Sequence, residues 1–185
     1  MDNQEEINYI KRILDAGETN LFSYFLNRYS NSIYSLILRI VPTKEDAEEL
    51  TQDTFLKAYR KLDTFKGDCS FSTWLFRIGY NTAISFVRKR KIIFPVIDEN
   101  LLENIPDEAV ETIFDQDDDE SMLQRLEVAI EKLNAEEKAL ITLYYMEEKP
   151  VAELAIVLEL TPENVKVKLF RVRKKLYVLM NSQNL

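Results

Sequence analysis

The sequence predicts an all-α fold of two small helical domains, a helical bundle and a helix-turn-helix, joined by an acidic flexible linker. Three observations predict it. The 185 residues include only 3 Gly and 5 Pro, too few for the many tight turns of a sandwich or barrel. Apolar residues recur in steps of three and four, and strand alternation stands out nowhere. Charge is divided along the chain. Residues 1–92 hold 14 basic and 12 acidic residues, residues 93–121 hold 11 acidic and no basic ones, and residues 122–185 hold 10 and 9. The middle segment contains Pro95 and Pro106 and ends in the run Asp115–Glu120. It reads as a solvated tether between a domain at 1–92 and another at 122–185.

In the first domain, Phe22, Leu26, Tyr29, Ile33, Leu36 and Ile40 form one helical face, which Pro42 ends. Thr43 can cap the next helix, with Asp46 three residues on. Its inner face is Ala47, Leu50, Thr54, Ala58 and Leu62. Asp46, Glu49, Gln52 and Asp53 share an outer stripe, a solvated face or a protein-docking surface. Lys66–Ser70 reads as a loop, and a third long helix runs from about Phe71 to Lys91. Across residues 65–91 six aromatics alternate with Lys66, Arg77 and Arg88. Such a pattern suits either an aromatic-rich core or a platform for unstacked bases, and composition alone favours the core.

In the second domain, Ser121 with Gln124 and Asn134 with Glu137 each suit a helix start. Val151–Leu158 and a helix opening at Thr161-Pro162 flank the short turn Glu159-Leu160-Thr161. Two short helices around a three-residue turn, the second basic, describe a helix-turn-helix. The stripe Val165, Leu169, Val172, Leu176 and Leu179 would be buried. Lys166, Lys168, Arg171 and Lys175 avoid it and would face a major groove.

Whole classes of chemistry fall away. The chain has no His and one Cys, which removes Ser-His-Asp and Cys-His catalysis, nearly all zinc or iron sites, and any internal disulfide. No glycine-rich phosphate loop is present. The N-terminus is acidic and amphipathic rather than a signal peptide, and no run of 18 apolar residues occurs. A cytoplasmic protein without enzymatic activity or cofactor is expected.

Residues 39–60, Phe65-Lys66-Gly67-Asp68 and Phe71–Ile78 resemble region 2 of the extracytoplasmic-function sigma factors, small two-domain members of the sigma-70 family. Val151–Ala155 and Val165–Leu176 resemble region 4. The resemblance covers about residues 20–92 and 123–180, and it implies specific roles. Asp46, Glu49, Gln52, Asp53 and Phe55 would dock on the β′ clamp helices of core RNA polymerase, and the second domain would meet its β flap. Phe65, Lys66, Gly67, Asp68, Ser70 and Phe71 would hold a flipped −10 base, so the aromatics Phe65 and Phe71 become functional candidates. Arg77, Asn81, Ser85 and Arg88 would touch the melted strand or upstream duplex. Lys166, Val167, Lys168, Phe170, Arg171 and Lys174 would read the −35 element. The implied partners are core polymerase, promoter DNA and an anti-sigma factor of the membrane-bound kind that the resemblance implies, with this chain inserted in no membrane and monomeric when free.

Departures from the family pattern stand at the helix-turn-helix. Its corner often carries Gly, where a positive φ is comfortable, and here carries Glu159. Asn164 stands where a small residue is frequent, and Val167 where a hydroxyl is frequent. A stand-alone dimeric helix-turn-helix regulator is the alternative; it explains residues 122–185 but not the aromatic-basic segment 65–91. A helical interaction protein without a DNA role would explain only the low pI. The acidic linker is expected to act as a spacer, or to lie against the basic clusters when polymerase is absent.

Overall fold

The computed structural model describes residues 3–94, 102, 105–106 and 120–181, and every regular element among them is helical. The first half comprises α1 (Asn3–Ala16), α2 (Phe22–Ile40), α3 (Lys44–Arg60) and α4 (Phe71–Arg90). The second comprises α5 (Glu120–Glu131), α6 (Ala135–Ile141), α7 (Val151–Leu158) and α8 (Pro162–Asn181).

The helix boundaries follow local chemistry. At α3, the Thr43 side chain accepts the Asp46 amide at 3.1 Å. At α4, Ser70 Oγ accepts the Thr73 amide at 3.2 Å. At α6, Asn134 and Glu137 close the full capping box. Thr161 Oγ1 accepts the Asn164 amide at 3.2 Å, with Pro162 as the first residue of α8. Each bond satisfies an amide that has no partner within its own helix. The expected start at Ser121 differs: α5 already contains Glu120, and Leu123 is 52% exposed.

α2 buries a broader face than its single stripe suggested. Phe25 and Ile37 are fully buried, while Leu26 is exposed. The reason is that α2 is covered on more than one side, by α3, α4 and α6. α1 adds Ile10 and Ile13 to the core. It is pinned by Tyr29, whose hydroxyl donates to the buried Glu6 at 2.5 Å. Burial first, and that bond second, push the Tyr29 phenol up to about 12.

The two halves share one core. Leu75 and Phe76 of α4 belong to the same buried cluster as Leu133, Leu140, Leu143 and Leu154. α4 packs along α7, and α2 packs against α6. Polar ties seal the seam. Lys149 Nζ donates to Ser72 Oγ at 2.8 Å and lies 5.3 Å from the Phe76 ring centroid. Thr73 Oγ1 donates to Glu153. Apart from this core, Leu102 and Ile105 are buried against Tyr177 and Val178 of α8. The expected acidic run Asp115–Asp119 lies outside the described residues; Glu120 is the first residue of α5.

Candidate nucleic-acid and polymerase interface

Arg77, Asn81, Ser85 and Arg88 are all exposed and share one side of α4, at spacings of four, four and three. That side faces the second half of the molecule. Arg77 donates from Nε and Nη2 to one oxygen of Glu159, at 3.1 and 2.9 Å, and Asn81 Nδ2 reaches the same oxygen at 3.4 Å. Arg88 Nη2 lies 3.8 Å from one oxygen of Glu136, and Lys168 Nζ lies 3.2 Å from the other. Glu136 therefore joins a cation of α4 to a cation of α8.

Between these elements lies an open cleft of about 880 Å³. One wall carries Asn81, Ser85 and Arg88; the facing wall carries Lys166, Val167, Lys168, Phe170, Arg171 and Lys174. The floor is apolar, with Ile84, Leu140, Leu158 and Val172. α8 is sharply two-sided. Val165, Leu169, Val172 and Leu176 are buried, whereas Val167 is 50% and Phe170 37% exposed. Lys174 Nζ sits 4.7 Å from the Phe170 ring centroid. Lys175, expected to face outward with the other cations, is instead half-buried and paired with Glu137.

The turn between α7 and α8 places Glu159 at φ +57°, ψ +43°. A left-handed conformation costs a non-glycine residue about 1 kcal/mol or more. Glu159 holds it while exposed and bound by Arg77. The Arg77 hydrogen bonds first, and Asn81 second, hold its carboxyl below the usual carboxylate range.

The loop before α4 separates into accessible and structural residues. Lys66, Gly67 and Asp68 are exposed, with Gly67 at φ +81°. Phe65 is half-buried, its ring 5.5 Å from Trp74 and 5.7 Å from Phe71 between centroids. Phe71 is different. It is fully buried, 4.2 Å from the Phe25 centroid and 5.5 Å from Trp74. A ring with no accessible face cannot stack on a base, so the expectation of a base contact at Phe71 is corrected: it is core, and it supports Phe65 from beneath. Ser70 is committed to capping α4 and also bonds Ser72 Oγ and Thr73 Oγ1, at 3.0 and 2.7 Å. Cys69 is half-buried; burial chiefly, with Glu153 and Asp68 behind it, pushes its thiol up, the opposite of an activated cysteine.

The outer stripe of α3 is altered in the same way. Glu49, Gln52 and Asp53 are accessible, and Asp53 pairs with Lys57 at 2.6 Å. Asp46 and Phe55 are buried, at 7% and 4% exposure. Asp46 accepts from Thr43 Oγ1 at 2.7 Å and from Arg90 Nη1 at 3.3 Å, tying the start of α3 to the end of α4. These two residues are corrected from docking contacts to supports of that surface. Leu56 and Tyr59, passed over in the sequence, are 55% and 40% exposed on α3. Their spacing from Gln52, four and seven residues, was the available signal.

Known proteins share this architecture. Sigma-70 region 2 matches residues 25–92 and Sigma-70 region 4 matches residues 123–176. The chain belongs to the extracytoplasmic-function branch of the sigma-70 family. It is 29% identical over 167 residues to the ECF RNA polymerase sigma-E factor of Escherichia coli K12, spanning 87% of each chain. It is 28% identical over 177 residues to the RNA polymerase sigma-H factor of Pseudomonas aeruginosa, spanning 92% of each. Two solved structures share the fold at 22% identity. CnrH in complex with the cytosolic domain of CnrY has a TM-score of 0.66 and spans 99% of both chains. The sigma factor RpoE in complex with the anti-sigma factor NepR, from Bartonella quintana, has a TM-score of 0.63 and spans 88% of this chain and 98% of its own.

This sigma factor binds core RNA polymerase and directs initiation at promoters, and it catalyses no reaction itself. The stand-alone regulator is not favoured, because region 2 accounts for the half of the chain that a regulator leaves unexplained. Among the described residues no group of three or more Cys, Asp or Glu is placed to hold a metal ion, and no helix is long and apolar enough to cross a membrane. Nothing in the sequence marked Glu136 and Glu159 as bridges to Arg77, Arg88 and Lys168, although Glu159 stood out at the helix-turn-helix corner where the family often has Gly. Their partners are 32 to 82 residues away in the chain.

Proposed function

We propose that residues 1–92 and 122–185 act as separate reading heads held on one polymerase scaffold, with residues 93–121 as the tether. The observation that carries this reading is the segregation of α8. One side is a buried apolar seam and the other presents Lys166, Val167, Lys168, Phe170, Arg171 and Lys174. That side enters the major groove at the −35 element. There Lys and Arg meet phosphates and guanine edges, and Val167 offers a methyl contact suited to thymine.

Phe65 with Lys66, Gly67 and Asp68 receives an unstacked −10 base, Trp74 and Phe71 backing the aromatic wall. Arg77, Asn81, Ser85 and Arg88 hold the displaced strand. Flipping a base costs a few kcal/mol, which stacking at about 1–3 kcal/mol per base offsets. No nucleotide hydrolysis by this chain enters. Polymerase docks on α3 through Glu49, Gln52 and Asp53, extended by Leu56 and Tyr59, and on the second half through its β flap. Joining both heads to polymerase makes two weak DNA contacts act together through effective concentration.

The protein works in the cytoplasm, as a monomer when free. An anti-sigma factor, with a membrane anchor, is its regulator; the similar sigma factor RpoE was solved with the anti-sigma factor NepR, and CnrH with the cytosolic domain of CnrY. The test is co-elution with purified core RNA polymerase, with a housekeeping sigma factor as competitor. A stable, competable complex is expected. A folded protein that forms none, yet binds specific duplex DNA alone, would overturn the reading in favour of a stand-alone regulator.

A further inference from the structure

Phe65, proposed above to receive the unstacked −10 base, rests on Phe71, and Phe71 rests on two rings of α2. Phe25 lies 4.2 Å from the Phe71 centroid, and Tyr29 lies 6.0 Å from it. Phe25 is fully buried and is held by packing. Tyr29 is only half-buried, so packing alone does not fix its ring. The remaining restraint comes from α1. The Tyr29 hydroxyl donates to Glu6 Oε1 at 2.5 Å and accepts from Arg28 Nε at 3.1 Å. Arg28 Nε lies 3.3 Å from the same Glu6 oxygen. α1 reaches the pocket by two further routes. Tyr9 meets Tyr24 edge-on at 5.0 Å, and Tyr24 meets Phe25 at 5.3 Å. α1 also packs against the short 3₁₀ turn Leu62–Thr64, directly before Phe65. The floor of the pocket and the chain entering it both abut this helix.

Glu6 is the unexpected residue on α1. At 7% exposure it shares a stripe with the buried Ile10 and Ile13, four and seven residues on. Burying a carboxylate is costly unless it is paired, and an apolar residue of similar size is often as stabilising or more so. Stability alone gives no reason for an acid at this place. What an acid supplies, and Leu does not, is a directional acceptor that selects one orientation of the Tyr29 ring.

Resting on the −10 role of Phe65, we propose that α1 is the positioning element of the base pocket. Glu6 orients Tyr29, and Tyr29 with Phe25 sets the tilt of Phe71 and so the face that Phe65 offers to the base. Neither Glu6 nor Tyr29 touches nucleic acid. Both act through Phe71, which has no accessible face of its own. A binding site has to be held to within about 0.5 Å by neighbours that are themselves fixed by packing and hydrogen bonds. The pair Glu6–Tyr29 does this for the half-buried side of the aromatic stack.

The test is equilibrium binding of a fluorescein-labelled fork-junction DNA by holoenzyme, reconstituted from the full chain and core polymerase. The DNA is one selected from random sequence by the wild-type holoenzyme, and a matching set carries an abasic site at each −10 position in turn. F65A should weaken binding of the intact fork about tenfold, the scale of one lost base stack. Y29F and E6L should each weaken it roughly fivefold, as part of that stack is lost. At the abasic position where F65A no longer matters, Y29F and E6L should bind as the wild type does. E6Q keeps an oxygen that accepts from Tyr29 and should stay within about twofold of wild type. E6L should melt at or above the wild-type temperature by circular dichroism, which separates lost positioning from lost fold. Normal binding by Y29F and E6L, where F65A is weakened, would overturn the positioning role and leave the pocket standing. An equal loss on intact and abasic forks would also overturn it, since a general distortion does not depend on the base. If F65A is itself without effect at every position, the pocket reading falls and the role of α1 falls with it.

Discussion

The surfaces proposed for polymerase docking and for DNA reading in this sigma factor are presented in opposite ways. On α3, Glu49, Gln52, Leu56 and Tyr59 lie open to solvent on one outer side. On α4 and α8, the residues proposed to read DNA turn toward each other across a cleft, where Glu136 and Glu159 hold Arg77, Asn81, Arg88 and Lys168. A partner can therefore reach the α3 residues proposed for docking directly, whereas the residues proposed to read DNA lie within a cleft.

The largest effect expected within the first half comes from the aromatic stack that shapes the −10 loop. Phe71→Ala empties a fully buried site and should cost about 3–5 kcal/mol of stability in chemical denaturation. Phe65→Ala, at a half-buried ring, should cost roughly 1 kcal/mol while lowering promoter opening in a permanganate footprint. If both variants lose stability equally, Phe65 is core as well and the base pocket lies elsewhere.

The docking face comes next. Asp53→Lys combined with Leu56→Asp should abolish co-elution with core polymerase and leave the circular dichroism spectrum unchanged, since both side chains are accessible. Loss of fold instead would move that stripe into the core. On the other face, Lys168→Ala and Arg171→Ala should each weaken −35-dependent transcription by about 1–3 kcal/mol. Polymerase binding should persist. Its loss would make α8 a docking surface and erase the contrast between the two faces. A smaller effect is expected at Asp46, now read as a support. Asp46→Ala should reduce stability by about 1 kcal/mol by removing the carboxylate that accepts from Thr43 Oγ1 at the start of α3 and its tie to Arg90, with polymerase affinity unchanged at temperatures where the protein is folded.

Much of the fold was legible because helices are local. The inner face Ala47, Leu50, Thr54, Ala58 and Leu62 is buried throughout, as its spacing predicts. The caps at Thr43, Asn134 and Thr161 form as read. The failures share one cause. Leu26, placed on the apolar stripe, is exposed, and Phe25, off the stripe, is fully buried, because α2 is packed from several sides, which a single stripe cannot express. Phe71, Asp46 and Phe55 were read as contacts because their residue types and motif positions suit that role, yet neighbours distant in the chain cover them.

By itself the sequence determined the all-helical class, the two blocks separated by an acidic stretch, the two-sided basic helix and the absence of His chemistry. Each depends on composition or on spacing within one helix, where neighbours are three or four residues apart. Only the tertiary structure decided that the halves share a core. It also decided which face of α4 lies under α7, and that Glu159 spends its strained corner on Arg77. Those outcomes depend on side chains up to 82 residues apart, whose meeting is set by how helices pack and not by any local pattern.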